Sequence, residues 1–252
     1  MILDTKQGRI EFTIPKHYTR EGTGIGYKVS GGADSALVGW LLCKTIVEEC
    51  NSDPIVYPIT MDQPGKAYQV KFAKGVVAFL KEQWPTVTFG EHITGLGSDP
   101  IVEVNPHIGD EGKANPNYNE DQRILAQQFL DNLTIRCLFN GVTANPSEFV
   151  GQDKLHQQLS MPPERNKTDK PLPIQYYGNP HTFPPHWGTP GNVFSPLINV
   201  DKKAVAELYE YYGLLDTLFP ITRSCEDWTT DFSSHCGVCW FCLERKWGFG
   251  KL

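Results

Sequence analysis

The chain has 252 residues, which is enough for one large domain or for one domain with an appendage. Hydrophobic residues make up 40% and charged residues 21%, an ordinary globular composition, and the net charge of −6 argues against strong non-specific binding to nucleic acid or to an anionic membrane. No apolar run reaches the length that crosses a bilayer, and the first residues lack the order of a secretory signal. We therefore expect a cytoplasmic protein.

The first half of the chain alternates between predicted strands and helices. Residues 1–27 contain short β-structure, and Tyr27–Val29 is a strand end directly before a Ser-Gly-Gly loop. Residues 34–49 place apolar side chains at the spacing of one buried helical face. The next predicted elements are a strand over 54–60, a helix over 69–83 and a strand over 86–89.

The second half begins with a predicted long loop over 90–119, which is rich in Gly, Pro and Asn. A helix follows over 121–139, with a strand near its end, and a last helix over 201–212 is closed by Gly213. Residues 151–194 show little periodicity, which is typical of a lid, an insertion or disorder. Strands that alternate with helices predict an α/β fold, a parallel five-stranded sheet with helices on both faces.

Six residues between the first predicted strand of this sheet and the first helix carry the clearest chemistry: Ser30, Gly31, Gly32, Ala33, Asp34 and Ser35. Gly31 and Gly32 let the backbone approach an anion closely, so that successive N–H groups and the helix N-terminus point at one place. Asp34 makes sense as a cap of the helix or through Mg²⁺. The loop is shorter than Walker A and lacks its lysine, which suits a pyrophosphate leaving group and transfer of AMP.

The simpler interpretation of this loop is a Ser/Gly-rich turn capped by an aspartate, since such turns are common. All six positions, however, lie between an apolar strand end and an amphipathic helix, and context of this kind supports a motif. We therefore predict an ATP-binding loop of the PP-loop (N-type ATP pyrophosphatase) class.

Four cysteines near the C-terminus have metal-ligand spacing: Cys225, Cys236, Cys239 and Cys242. Each Cys-x-x-Cys spacing places two thiolates close enough for one tetrahedral ion to bind both. Four thiolates with no open position describe a structural Zn²⁺ site. An iron–sulfur cluster is the alternative, because Cys-x-x-Cys-x-x-Cys also begins ferredoxin motifs. We interpret residues 1–220 as a catalytic domain with an insertion at 151–194, and residues 221–252 as a zinc-binding segment.

Two basic residues lie near predicted helix starts. Lys202 opens the last helix before the cysteines, and Arg123 lies near the start of the helix over 121–139. A cation there opposes the helix dipole, so we look for another reason, such as a nucleotide phosphate, although a solvated face is an equal alternative. With Asp34, these residues are the candidate catalytic groups.

Together, the phosphate loop and the cysteine spacing resemble the QueC family of 7-cyano-7-deazaguanine synthases. Residues 195–204 and 211–214 resemble its Pro-Leu…Lys-Ala…Tyr-Gly segment, with Lys202 in the place of its lysine. Thr60-Met-Asp62 resembles its Thr-Phe-Asp, and residues 122–124 resemble its Arg-Asn helix start, with Ile in place of Asn. The resemblance covers roughly three quarters of the chain in matching order.

The resemblance implies an adenine nucleotide alpha-hydrolase-like (Rossmann-like) fold with a C-terminal zinc knuckle of four cysteines, in a homodimer. It also implies a reaction, in which ATP with Mg²⁺ adenylates 7-carboxy-7-deazaguanine, ammonia displaces AMP, and a second ATP drives dehydration to the nitrile. The implied ATP-binding residues are Ser30, Gly31, Gly32, Ala33, Asp34, Ser35 and Asp62.

The chain also departs from this family. Residues 141–149 lack the Gly-Tyr-Pro-Asp that meets the deazaguanine, and Gln63-Pro64-Gly65 replaces Tyr-Gly-Gln. Two alternatives therefore stay open. One is a ligase that adenylates the deazaguanine or a different carboxylate, or transfers it to another amine on a protein or nucleic acid. The other is a non-catalytic nucleotide-binding module.

Overall fold

The computed structural model describes residues 1–62, 68–96, 118–146, 192–225 and 234–252. Within these ranges the strands are β1 (Ile2–Thr5), β2 (Gly8–Glu11), β3 (Gly24–Lys28), β4 (Ile55–Asp62), β5 (Thr88–Phe89), β6 (Ile93–Leu96), β7 (Cys137–Phe139) and β8 (Val193–Phe194). The helices are α1 (Ala33–Glu49), α2 (Tyr68–Gln83), α3 (Tyr118–Asp131), α4 (Lys202–Tyr211) and α5 (Trp240–Phe249). None of the helices in these ranges has the length and apolarity of a membrane span.

The main sheet is parallel throughout and has the order β5–β4–β3–β7–β8, while β1 and β2 form a separate antiparallel hairpin. The short strand β6 also pairs with β4, beyond the end of β5. β5 and β6 thus share one edge position, so the sheet within the described residues has six strands in five positions and the prediction of five strands holds for its width. Pro58 lies where this edge is interrupted, a place that tolerates a residue with no N–H.

Helices cover both faces of the sheet, as predicted. Side chains alternate along each strand, so Ile25 and Tyr27 of β3 face a core shared with α1, α2 and α4. Ile59 of β4 and Leu138 of β7 face a second, smaller core shared with α3. Burial of each such side chain contributes about 1.5–3 kcal/mol, and the larger core therefore fixes α1 behind the central strand.

The predicted helix over 121–139 is too long, because α3 ends at Asp131. The chain turns at Leu133, which adopts a left-handed φ of 64°, and the Asn132 side chain accepts a hydrogen bond from the backbone N–H of Thr134 at 3.0 Å. The apolar residues beyond this turn, including the buried Ile135, belong to the approach to β7 and to β7 itself. A helical period and a buried strand overlap in such a short apolar run.

The predicted loop over 90–119 contains β6 and the start of α3, and residues 97–117 of it lie outside the described part. Most of the predicted insertion over 151–194 also lies outside it. The last two residues of that segment form β8, the edge strand beside β7. The domain division at residue 220 stays a prediction.

Candidate phosphate-binding site and metal centre

The predicted phosphate loop lies at the carboxyl end of β3, the central strand of the sheet. The chain leaves β3 into α1 on one face, while α3, which precedes the neighbouring β7, covers the other face. Crossovers thus diverge to opposite faces beside β3. In open α/β sheets this switch point forms a crevice where ligands bind.

Hydroxyl groups close the loop onto the first turn of α1. The Ser30 and Ser35 Oγ atoms are 3.1 Å apart, and the Ser30 backbone N–H donates to Ser35 Oγ at 3.2 Å. Ser30 Oγ accepts from the Gly32 N–H at 3.3 Å, and Ser35 Oγ donates to the Gly32 carbonyl at 3.0 Å. Hydrogen bonds within these six residues therefore contribute to the shape of the loop.

Gly31 is required by both conformation and space. Its φ is 81°, in the left-handed region, and an added Cβ would lie 2.5 Å from Phe72 Cβ and 2.9 Å from the Ala73 nitrogen of α2. On the opposite side, a Cβ on Gly141 would lie 2.6 Å from the Ser35 nitrogen. The start of α1 is therefore enclosed by α2 on one side and by the turn after β7 on the other.

Asp34 does not cap α1, because the N-cap residue is Gly32. Its carboxylate instead forms an ion pair with the Lys202 ammonium at the start of α4. Lys202 Nζ also lies 3.6 Å from Glu244 Oε2 of α5, and the Lys202 and Glu244 residues are only 4% and 2% exposed. A lysine at a helix start interacts unfavourably with the helix dipole. The carboxylates of Asp34 and Glu244 offset this cost within the protein.

Two buried phenols hold the backbone of this first turn. Tyr27 donates a hydrogen bond to the Ser35 carbonyl, and Tyr209 of α4 donates to the Ala33 carbonyl at 2.9 Å. Burial raises the pKa of both tyrosines well above the usual value, and the charge of Asp34 adds to the effect at Tyr209. Both groups therefore remain neutral donors at physiological pH.

The remaining predicted site residues are Ala33, Asp62 and Arg123. Ala33 begins α1 and is buried, as the loop requires. Asp62 ends β4 at the same carboxyl edge of the sheet, beyond Ile59, which pairs with the end of β3. Arg123 lies on α3, but its side chain is outside the described part of the structure.

Three charged residues at the site were missed by the sequence reasoning: Glu244, Arg223 and Arg245. The Arg223 N–H donates to the Gly31 carbonyl at 2.8 Å, and its guanidinium donates to the Ser234 carbonyl. Arg245, 1% exposed, donates to Thr222 Oγ1 at 2.9 Å and to the Phe219 carbonyl at 3.1 Å. The signal that the sequence offers is that all three residues lie close to the cysteines. Their burial and their partners are not visible in a local pattern, because buried arginines pair with groups elsewhere in the chain.

The four predicted metal ligands come together. The sulfur atoms of Cys225, Cys236, Cys239 and Cys242 all lie within 4.8 Å of one another. Cys236 Sγ accepts hydrogen bonds from the N–H groups of Cys239 at 3.2 Å and Val238 at 3.5 Å, across a turn in which Gly237 has a φ of 77°. Three of the four cysteines are buried, none forms a disulfide, and the donor set can hold a metal ion.

His235 lies beside these cysteines and is half-buried. Burial, together with the positive charges of Arg245 and Arg223, lowers its pKa to about 4. The imidazole is therefore neutral at physiological pH. The two arginines also place positive charge next to four sulfur ligands, which offsets the negative charge that thiolates would bring.

Comparison with known proteins shows similarity to solved structures. No protein-family model and no curated protein sequence matches the chain. Among solved structures, the U34-tRNA thiolase NcsA from Methanococcus maripaludis, with its [4Fe-4S] cluster, is similar at 14% identity with a TM-score of 0.43. The match covers 79% of this chain and 59% of that chain, so this chain spans about three fifths of the length of that structure.

Proposed function

We propose that the protein is an ATP-dependent enzyme of the PP-loop class, which activates a carboxylate as an acyl-adenylate and releases pyrophosphate. The observation that carries the proposal is the ion pair of the buried Lys202 with the partly exposed Asp34 at the start of α1. It lies beside a glycine loop at the switch point of a parallel sheet, where anionic ligands bind.

The residues of the proposed site have different roles. The backbone N–H groups of residues 31–35 and the start of α1 bind phosphate oxygens, and Ser30 and Ser35 keep the loop in shape. Asp34 and Asp62 are the carboxylates that would hold Mg²⁺, which neutralises the departing pyrophosphate. Lys202 fixes the Asp34 carboxylate and, with Arg123, completes the proposed catalytic group.

The proposed carboxylate is 7-carboxy-7-deazaguanine, with amidation by ammonia and dehydration to 7-cyano-7-deazaguanine. The support is the family resemblance of the loop, the cysteine spacing and residues 195–214. A free carboxylate is a poor electrophile, and adenylation gives it a good leaving group. We also propose a homodimer in the cytoplasm, on the same resemblance.

A different acyl acceptor is the second candidate, and residues 141–146 favour it. This turn lies against the start of α1, at Gly141, and the side chains of Thr143 and Asn145 are buried there. It lacks the Gly-Tyr-Pro-Asp sequence that meets the deazaguanine in the QueC family. The carboxylate or the amine then differs, while activation by ATP stays the same.

Zinc is the metal that we propose for the four cysteines. One tetrahedral ion with Zn–S bonds of about 2.3 Å places its sulfurs roughly 3.8 Å apart. Cys236 Sγ and Cys242 Sγ are 3.9 Å apart, and all four sulfurs lie within 4.8 Å. A four-iron cluster separates its cysteine sulfurs more widely, because the iron and sulfide atoms lie between them.

The test is release of pyrophosphate from ATP with 7-carboxy-7-deazaguanine and ammonia, followed by mass spectrometry of the product. Pyrophosphate with the nitrile supports the first candidate. Pyrophosphate with another carboxylate or amine from a panel supports the second. Binding of ATP with no turnover on any acceptor contradicts enzymatic function and favours a nucleotide-binding module.

The Asp34→Ala variant is the matched control for this assay. We expect it to lose pyrophosphate release by at least about 10²-fold, because the proposed Mg²⁺ ligand and the partner of Lys202 are both removed. Its zinc content should remain that of the wild type, since the cysteines are untouched. Turnover retained in this variant would refute the assignment of the site.

A further inference from the structure

The segment before the first cysteine lies directly along the phosphate loop. Arg223 donates its backbone N–H to the Gly31 carbonyl at 2.8 Å, and a Cβ on Gly32 would lie 3.7 Å from the Arg223 carbonyl oxygen. Cys225 follows Arg223 closely in sequence. Any rearrangement around Cys225 therefore moves a direct hydrogen-bond partner of the loop.

The side chain of Arg223 reaches in the other direction, toward the remaining cysteines. Its guanidinium donates to the carbonyl of Ser234, just before Cys236. It also lies 5.9 Å from the ring centroid of Phe72, whose Cβ closes the space next to Gly31. One residue, 3% exposed, thus joins the loop by its backbone and the cysteine segment by its side chain.

Helix α5, which begins directly after Cys239, makes two further connections. Arg245 donates to Thr222 Oγ1 at 2.9 Å and to Ser224 Oγ at 3.3 Å, on either side of Arg223. Glu244 lies 3.6 Å from the ammonium of Lys202, the partner of Asp34. Helix α5 therefore contacts both the segment that hydrogen-bonds Gly31 and the lysine that pairs with Asp34.

We propose that Arg223 is a positioning residue which couples the cysteine site to the phosphate loop, so that metal and nucleotide each raise the affinity for the other. A bound ion orders the cysteine segments, since such sites do not form without their metal. Ordered segments hold the guanidinium at Ser234, and the Arg223 N–H then holds Gly31 in its left-handed conformation. Nucleotide binds only the fraction of molecules with the loop in this shape, so apparent affinity follows that fraction.

This coupling rests on the proposed function in one respect, which is that the loop binds ATP. Linkage makes the coupling reciprocal and therefore measurable on the intact metal-loaded protein. We would titrate zinc-loaded protein with a chromogenic zinc chelator, with and without saturating ATP and Mg²⁺. Parallel titrations of zinc and chelator with the same ATP, without protein, correct for zinc bound by ATP itself.

We expect ATP to tighten zinc binding about tenfold in the wild type. The Arg223→Met variant should still bind one zinc, but ATP should change its zinc affinity by less than about twofold. Arg223→Lys keeps a cationic donor and should recover part of the effect. Arg136→Met is the matched control, because this exposed arginine also donates its N–H to a glycine carbonyl, that of Gly24 at 2.8 Å, and should leave the coupling unchanged.

The outcomes separate the two proposals. Calorimetry on the same zinc-loaded sample measures ATP binding directly. If ATP binds the wild type but does not change its zinc affinity, the coupling alone is overturned. Absence of ATP binding overturns the proposed function and the coupling together. An effect of ATP that is as large in Arg223→Met as in the wild type shows that Arg223 is not the connection. If Arg223→Met fails to fold by circular dichroism, the wild-type and Arg223→Lys titrations decide the question.

Discussion

The phosphate loop and the cysteine cluster each gather polar groups around one point, but different interactions hold them. The loop is closed by hydrogen bonds among Ser30, Gly32 and Ser35, all within one short segment. The cluster joins Cys225 to a second segment that contains the other three cysteines. Bonds within one short segment can form before the rest of the fold, whereas the cluster needs two segments, ten residues apart, and an ion.

The ionisable groups of the phosphate loop and of the cysteine cluster also differ in whether they already have a partner. The Asp34 carboxylate already has the Lys202 ammonium as its partner. In the cluster, hydrogen bonds with the Cys225 and Cys239 thiols raise the pKa of Cys242 far above its usual value. These contacts keep the Cys242 thiol protonated until a cation replaces its proton. The Asp34 carboxylate of the loop is therefore paired before its ligand binds, whereas the cluster is organised by its ligand.

The largest effect that we expect comes from removing one metal ligand. Cys239→Ser should lose the bound metal, because structural zinc sites provide about 10–16 kcal/mol through four ligands that act together. Metal analysis after dialysis should fall from one equivalent to near zero, and residues 221–252 should become sensitive to protease. Cys50→Ser, in a half-buried cysteine outside the cluster, is the control and should keep the metal. Full metal content in Cys239→Ser would show that the cluster is not a four-cysteine site.

The second effect concerns the buried charges between the two regions. Lys202→Met leaves Asp34 and Glu244 without the ammonium that lies between them, and breaking a buried pair costs about 3–5 kcal/mol. Denaturant unfolding measures this loss. The double variant Lys202→Met, Glu244→Gln removes opposite charges together, so it should recover part of the stability while pyrophosphate release stays absent. Equal stability of the single and double variants would contradict the role of Glu244.

The regions also differ in how far the sequence predicts them. The loop and α1 are each formed by residues that are neighbours in sequence. The apolar period after residue 34 and the Gly-Gly pair are therefore sufficient to predict both. The cysteine spacing predicted the four ligands for the same reason. The contacts between the regions were not predictable, because Lys202, Arg223 and Glu244 reach partners that are distant in sequence. A hydrophobic pattern carries no information about such pairs.

The second half of the sheet was harder to predict than the first. Ile135 and Leu138 continue the apolar period of α3, and only the turn at Leu133 separates the helix from the strand. Strand β7 has only three residues and β8 only two, so neither shows a period of its own. Their place is fixed by pairing with β3 and with each other, which is tertiary information.

A smaller effect tests whether the loop is organised by its own backbone. Gly31→Ala should cost about 1–2 kcal/mol for the left-handed φ, and more for the contact at 2.5 Å with Phe72 Cβ. The loop would then shift, and we expect ATP affinity to fall while zinc content is unchanged. Gly75→Ala in α2 is the matched control, because nothing lies within 4 Å of its added Cβ, and it should be stabilising by about 0.5–1 kcal/mol. Thermal unfolding and ATP titration of both variants provide the measurements.

The smallest effect should come from a single hydroxyl of the loop. Ser30→Ala removes the group that accepts from the Gly32 N–H and contacts Ser35 Oγ, and each such bond contributes about 1 kcal/mol. Ser35 Oγ still bonds the Ser30 N–H and the Gly32 carbonyl, so the loop should keep its shape and lose only a few-fold in ATP affinity. Ser52→Ala, in the turn between α1 and β4, controls for the loss of a hydroxyl elsewhere. A loss of ATP affinity as large as that of Gly31→Ala would mean that the hydroxyl itself contacts the phosphate, and the loop would then depend on its ligand as the cysteine cluster does.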